Sequence, residues 1–399
     1  MRFSIYIILL FFIGQGGLAQ TEEPPREALT DTLKMIFDSG PLVGFSVALV
    51  DGDGVQYVKG FGNADLAAQK AYDINTIQNI ASISKTFIGI ALLKAQELGQ
   101  LDLDDPVNMH LPFEVTHPYY PEFPITLRHL VTHTSGITDP DEYDEKGYIL
   151  RNAENGEDAI YANFLPPSQM RSLEDFQQRI LSKDGEWYRK KTFLKKKPGG
   201  RFEYSNIGAG LAALALEKAT GTPFNDFTRT YIFEPLEMTH SGWFPSEVDF
   251  SKHSRTYTDT GIPLAPYSLV NFPDGGLMTS AEDLGKYLSE LIRGYSGNGK
   301  ILTPESFKEL FTPQLQASQF TSRSDGVYND EYNMGVFMGF SSHDQIGHTG
   351  GDPGVSTFMF FNAKTLTGKL LLVNTDLNQK GVETFKEIWK TLETFEGQF

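Results

Sequence analysis

From Ile83 to Leu98 the chain carries a helical pattern whose apolar residues run almost all the way round. Ile83, Phe87, Ile90, Ala91, Lys94 and Leu98 fall on one side, and Ile88, Leu92 and Leu93 cover much of the rest. A helix without a polar face has to be enclosed by other elements, so the chain must build layers around it. Gly99 is the residue type that closes a helix C-terminus. Lys85 sits in the first turn, and an ammonium enclosed there demands a chemical reason, because an unpaired charge is costly to bury.

The elements around this helix change character along the chain. Asp31 to Phe37 reads as a short helix after a polar, mobile start over residues 20–27. Leu42 to Val50 and Val55 to Phe61 flank Asp51-Gly52-Asp53-Gly54, the pattern of a β-hairpin. Residues 100–136 are loop-rich, with five prolines from Pro106 to Pro124. Residues 138–197 are polar and charge-clustered and read as an insertion with some helix, such as Leu173 to Leu181. Ile207 to Ala219 is a second apolar helix, closed by Gly221 and Pro223. Ser280-Ala281-Glu282-Asp283 resembles a capping box opening a helix that runs to Ile292. Tyr332 to Phe340, Ser356 to Asn362 and Lys369 to Asn374 read as strands, and Gly381 to Phe395 as a final amphipathic helix. Strands at both ends with helices between predict an α+β fold: an antiparallel sheet built from both termini, flanked by helices, with a mostly helical region inserted.

Composition removes several function classes. The 399 residues include no cysteine, which excludes disulfides, thiol catalysis and zinc-thiolate sites. The formal charge of −17 disfavours nucleic acid and anionic lipid as partners. The basic run from Arg189 to Lys197 reads as a solvated face. Met1-Arg2 followed by an apolar run from Ile5 to Ile13 and then Gly17-Leu18-Ala19 has the order of an export signal cut near Ala19. The competing readings are an N-terminal anchor or a buried strand, but charge, length and small residues agree on export to the periplasm or beyond. No later stretch is long and apolar enough for stable membrane insertion.

Three short motifs carry chemistry. Ser82-Ile83-Ser84-Lys85 places serine and lysine on one side of a helix start. A serine hydroxyl needs a base to become a nucleophile, and helix N–H groups favour the negative charge that then develops. Ser-x-x-Lys occurs once in the chain, on the buried helix; an ordinary cap with a surface lysine is the bland alternative. Tyr204-Ser205-Asn206 offers a proton relay and an amide. Tyr161-Ala162-Asn163 matches the same triplet, but only Tyr204 follows Pro198-Gly199-Gly200 and precedes an apolar helix. Gly347-His348-Thr349-Gly350-Gly351 lies between predicted strands, where glycines admit a ligand close to the backbone; a β-turn with a surface histidine is the alternative. His129 and His133 have zinc-helix spacing without the adjacent glutamate, so a structural role is assigned to them.

In this order Ser82-x-x-Lys85, Tyr204-x-Asn206 and His348-Thr349-Gly350 resemble the three motifs of serine β-lactamases and penicillin-binding proteins. The branch with AmpC-type β-lactamases, D-alanyl-D-alanine carboxypeptidases, D-aminopeptidases and related esterases is the most similar. Residues 129–137, 198–206 and 275–284 agree with it, and the likeness runs from about residue 28 to 395. The resemblance implies a β-lactamase/transpeptidase-like fold with Ser82 as nucleophile and Lys85 and Tyr204 sharing base duty. It implies that Asn206, His348, Thr349, Gly350 and Gly351 bind substrate, with the N–H groups of Ser82 and Gly351 as oxyanion donors. Neither cofactor nor metal is implied; the partner is a small-molecule or peptide substrate, and no oligomeric state follows. His348 stands where β-lactamases usually have lysine, which shifts expectation toward an ester, amide or D-amino-acid peptide. A true β-lactamase or carboxypeptidase and a catalytically silent penicillin-binding-like sensor remain the rivals.

Overall fold

The computed structural model describes residues 25–154, 156–319, 335–340 and 344–399. The expected export signal over residues 1–19 lies outside them, as do the first three residues of the strand expected over Tyr332 to Phe340; of its described part only Gly339–Phe340 is a strand. Among the described residues no helix is long and apolar enough to cross a membrane.

Strand β1 (Gly44–Asp51) and β2 (Gly54–Asp65) form the expected hairpin. Asp51 closes it, its carboxylate accepting the Asp53 and Gly54 main-chain N–H groups. β3 is Lys70–Ala71, β4 Gly339–Phe340, β5 Gln345–Asp352, β6 Val355–Asn362 and β7 Thr367–Val373. They make a seven-stranded sheet in the order β3-β2-β1-β7-β6-β5-β4, antiparallel throughout. Phe45 pairs with Val373, so chain ends more than three hundred residues apart share one ladder. This is the antiparallel sheet from both termini that the sequence predicts.

The alternating strand pattern sends side chains to two different layers. Phe45, Val47 and Leu49 of β1, with Leu371 and Val373 of β7, pack under helix α1 (Pro25–Ser39) and the C-terminal helix (Gln379–Phe395). Ala48, Val50, Leu370 and Leu372 face the larger core, with helix α2 (Ser84–Glu97) inside it. Every α2 residue from Ser84 to Leu93 is buried, as its pattern requires.

Three boundaries differ from expectation. Helix α1 begins at Pro25, inside the segment expected to be mobile, because Leu29, Leu33 and Ile36 draw a longer helix onto the sheet and proline suits a first helical turn. Ser82 lies in a 3₁₀ turn over Ala81–Ile83 that leads into α2. The segment with His348 is a strand, β5, and not a turn: it pairs with β6 on one side and β4 on the other, and these ladders outweigh the weak strand preference of its glycines.

The expected insertion supplies helix α3 (Leu173–Leu181), capped by Ser172. Its Tyr148–Leu150 segment pairs with Tyr267–Leu269. Helix α4 (Asn206–Thr220) ends at Gly221, whose φ of 66° is left-handed. Helix α5 (Ala281–Tyr295) starts with the Ser280 hydroxyl accepting the Asp283 N–H.

Candidate active site

The turn bearing Ser82 is clamped from both sides. On one side Thr357 of β6 donates its hydroxyl to the Ile80 carbonyl at 2.9 Å. On the other, the Ile80 N–H donates to the Leu277 carbonyl at 3.0 Å, and the Leu277 N–H to the Ser84 hydroxyl at 3.2 Å. Ala81 is held at φ 48°, a conformation that a side chain disfavours, so the local strain is stabilised by these clamps. Gly350 of β5 passes so close that an added Cβ would lie 2.5 Å from the Ile80 carbonyl oxygen and 2.4 Å from Thr357 Oγ1. Only glycine lets this strand run beside the serine turn. Next along, Gly351 faces open space.

Lys85 is wholly buried and donates to Ser82 Oγ at 2.9 Å and to the Asp274 carbonyl at 2.8 Å. Its Nζ lies 5.0 Å from the centre of the Tyr204 ring, and its hydrogen bonding extends to that residue. Burial works against the ammonium, but Tyr204, Asp274 and Asp139 together outweigh it and hold Lys85 above the usual lysine range. The structure therefore brings Ser82, Lys85 and Tyr204 into one cluster. Tyr161 of the competing triplet is elsewhere: its hydroxyl donates to Asp376.

Asn206 is set by Asp139. That carboxylate accepts the Asn206 and Ile207 main-chain N–H groups, the Asn206 side-chain amide and the Ser205 hydroxyl. It thus neutralises the open N–H groups of α4 while fixing the amide. His348 lies with its ring 6.2 Å from that of Tyr204, and its Nδ1–H donates to the Thr349 carbonyl at 2.6 Å. In the neutral form this leaves Nε2 as an acceptor. Thr349 is buried, opposite Phe358 of β6.

Several neighbours are not assigned to the site from sequence, although His133 is given a structural role. The His133 ring lies against Tyr204 at a 35° tilt with ring centres 4.4 Å apart, and its Nδ1 accepts the Ser205 N–H at 3.2 Å. Burial first, then Lys85 and His348, push its pKa well below the usual value, so it stays neutral. Asp274 is buried, accepting from Tyr143 at 2.7 Å and Asn271 at 2.8 Å, and burial raises its pKa to about 6 against the opposing pull of Lys85. Asp352, next to Gly351, accepts from Tyr148 at 2.8 Å, and desolvation raises it to about 7. Asp139, Tyr143 and Tyr148 come from the segment read as an insertion. The available signal for Asp274 and Asp352 was a carboxylate beside a glycine-rich run, an ionisable group that needs partners. Among the described residues no group of three or more His, Asp or Glu is arranged to hold a metal.

A family model described as Beta-lactamase matches residues 28–393. Protein flp of Staphylococcus aureus (strain N315) is 27% identical over 342 residues, covering 84% of this chain and 60% of its own. The chain thus spans about 60% of the length of that curated relative. A β-lactamase/D-alanine carboxypeptidase from Yersinia pestis superposes with TM-score 0.69 at 18% identity, covering 93% of this chain and 98% of the other. A D-amino acid amidase from Ochrobactrum anthropi SV3 superposes with TM-score 0.65 at 20% identity, covering 92% and 99%. These structural likenesses are of fold, and the fold is β-lactamase/transpeptidase-like.

Proposed function

The chain belongs to the beta-lactamase family, and from that premise we propose that it is an exported serine hydrolase forming an acyl-enzyme on Ser82. The observation that carries this is the buried contact of Lys85 Nζ with Ser82 Oγ at 2.9 Å, under the Tyr204 ring. A surface lysine beside a helix cap would make no such contact. The raised Lys85 favours a division of labour in which Lys85 remains an ammonium and Tyr204, as the phenolate that the ammonium stabilises, receives the serine proton. Ser82 Oγ then bonds to the substrate carbonyl carbon, and the carbonyl electrons move to its oxygen, facing the N–H groups of Ser82 and Gly351. When the intermediate collapses, the leaving group departs with the proton from Tyr204. Water repeats the sequence and releases the acid.

The acyl donor in this proposal is a neutral ester, amide or D-amino-acid peptide. His348 in place of lysine supports it, since an imidazole, unlike lysine, gives a substrate carboxylate no permanent charge. The Arg2, Ile5 to Ile13 and Ala19 pattern supports export to the periplasm or beyond.

A fluorophosphonate probe tests the chemistry. It should attach to the peptide containing Ser82, and Ser82→Ala should abolish labelling. Undiminished labelling of that variant removes the nucleophile assignment, and failure of the unaltered protein to label or turn over any of a panel of esters, β-lactams and D-peptides favours the silent sensor.

A further inference from the structure

Arg151 follows the Tyr148–Leu150 strand and lines a run of adjoining cavities on the side of the Ser82 turn where Asn79 lies. Two of these cavities measure about 320 and 440 Å³, within the size range of small-molecule sites. Their walls are mainly apolar, with Met170, Phe250, Phe272 and Pro266 prominent. The guanidinium has five donors. Nε donates to Ser268 Oγ at 3.0 Å and Nη2 makes a weak contact with Met278 Sδ at 3.6 Å, while the Phe250 ring covers one face at 4.9 Å.

Among the described residues no carboxylate pairs with Arg151. Its neighbours are compensated: Arg255 pairs with Asp158, and Arg171 with Asp175. His253, also on the cavity wall, is kept neutral, its pKa pushed down to about 3 by burial and then by Arg151. Its Nε2–H donates to Asn79 Oδ1 at 3.3 Å, which turns the Asn79 amide N–H groups away from that contact. Burial lowers Arg151 itself only to about 10, so it is charged at neutral pH. A desolvated cation without a counterion, beside apolar space, is an expensive arrangement unless something negative completes it.

We propose that the Arg151 cavity is a binding site for an organic monocarboxylate with an apolar body, held by the guanidinium and Asn79 with its carbon skeleton against Met170 and Phe250. A single cation matches a monoanion better than a phosphate dianion, and the planar guanidinium fork matches a carboxylate. The site uses none of the groups assigned to acyl transfer.

Calorimetric titration of the full chain with octanoate, and with octan-1-ol as its uncharged counterpart, tests this. Octanoate should bind at least tenfold tighter than the alcohol. Arg151→Gln should erase that difference, and Arg151→Lys should restore part of it. Should Arg151→Gln fail to fold, Met170→Glu keeps the test alive: Met170 is 48% exposed at the rim, so a carboxylate there is tolerated by the fold while repelling the ligand. It should weaken octanoate at least fivefold more than it weakens the alcohol, which loses only the apolar contact. Equal binding of acid and alcohol, no binding of either, or octanoate affinity untouched by the rim and arginine variants overturns the proposal.

Discussion

The Asp139 carboxylate grips Asn206 twice, accepting its main-chain N–H at 3.0 Å and its side-chain Nδ2 at 2.8 Å. The same group also takes the Ile207 N–H at 2.9 Å. One side chain thus caps a buried helix and orients an amide expected to meet substrate, so stability and turnover are linked at this position. Asp139→Ala should cost about 1–2 kcal/mol in stability, the scale of a lost helix cap. It should also lower kcat in the fraction that remains folded. Urea unfolding alongside ester kinetics checks both; unchanged kcat with lowered stability would leave Asp139 as a cap alone.

Lys85 and Tyr204 should behave as one device. Lys85→Ala or Tyr204→Phe should each reduce turnover by roughly 10²–10⁴, the usual scale for loss of a general base. The double variant should be scarcely worse than the poorer single one, because groups that act together are not additive. Full additivity in a double-mutant cycle would separate their roles. Tyr161→Phe is the control and should be nearly silent, since its hydroxyl serves Asp376.

Asp274 gives a signed pH effect. Its folded pKa of about 6, raised chiefly by burial, exceeds the unfolded value of ~3.9. The neutral acid is therefore favoured by folding: its contribution is fully present below about pH 4 and is lost as pH rises through about 6. Asp274→Asn keeps an oxygen acceptor for Asn271 and removes the titration. Relative to the unaltered protein, the variant should gain up to about 3 kcal/mol between pH 4 and pH 8. Denaturant midpoints at the two pH values measure it, and a pH-independent difference would show that Asp274 does not titrate in this window.

His348→Lys should change selectivity more than rate. Lysine would offer a permanent charge where the histidine Nδ1–H is already given to the Thr349 carbonyl. The ratio of kcat/KM for a carboxylate-bearing β-lactam over a neutral ester should rise at pH 7 by tenfold or more, about 1.4 kcal/mol of differential binding. A constant ratio, or an unaltered protein that already prefers β-lactams or D-alanyl-D-alanine peptides, would show that position 348 does not set the preference.

What the sequence alone determined lies in local pattern. The all-round apolar helix had to be enclosed, and a lysine in its first turn had to find partners. Ser82 and Lys85, three apart, meet because a helical turn brings such residues to one side. Alternating strands at both ends had to pair, and their hydrophobic period set which face joined which layer. Tertiary structure decided what local pattern leaves open. A glycine-rich run such as Gln345–Asp352 has little strand preference of its own, and becomes β5 because neighbours on both edges complete its ladder. The flanking Pro198-Gly199-Gly200 and the apolar helix after it already favoured Tyr204 over Tyr161, but only packing lays the Tyr204 ring over Lys85 and turns Tyr161 to Asp376. Asp139, Asp274 and Asp352 reach the site from three separate segments. A carboxylate carries no periodicity, so only long-range packing reveals which solvent it loses and which partners it gains.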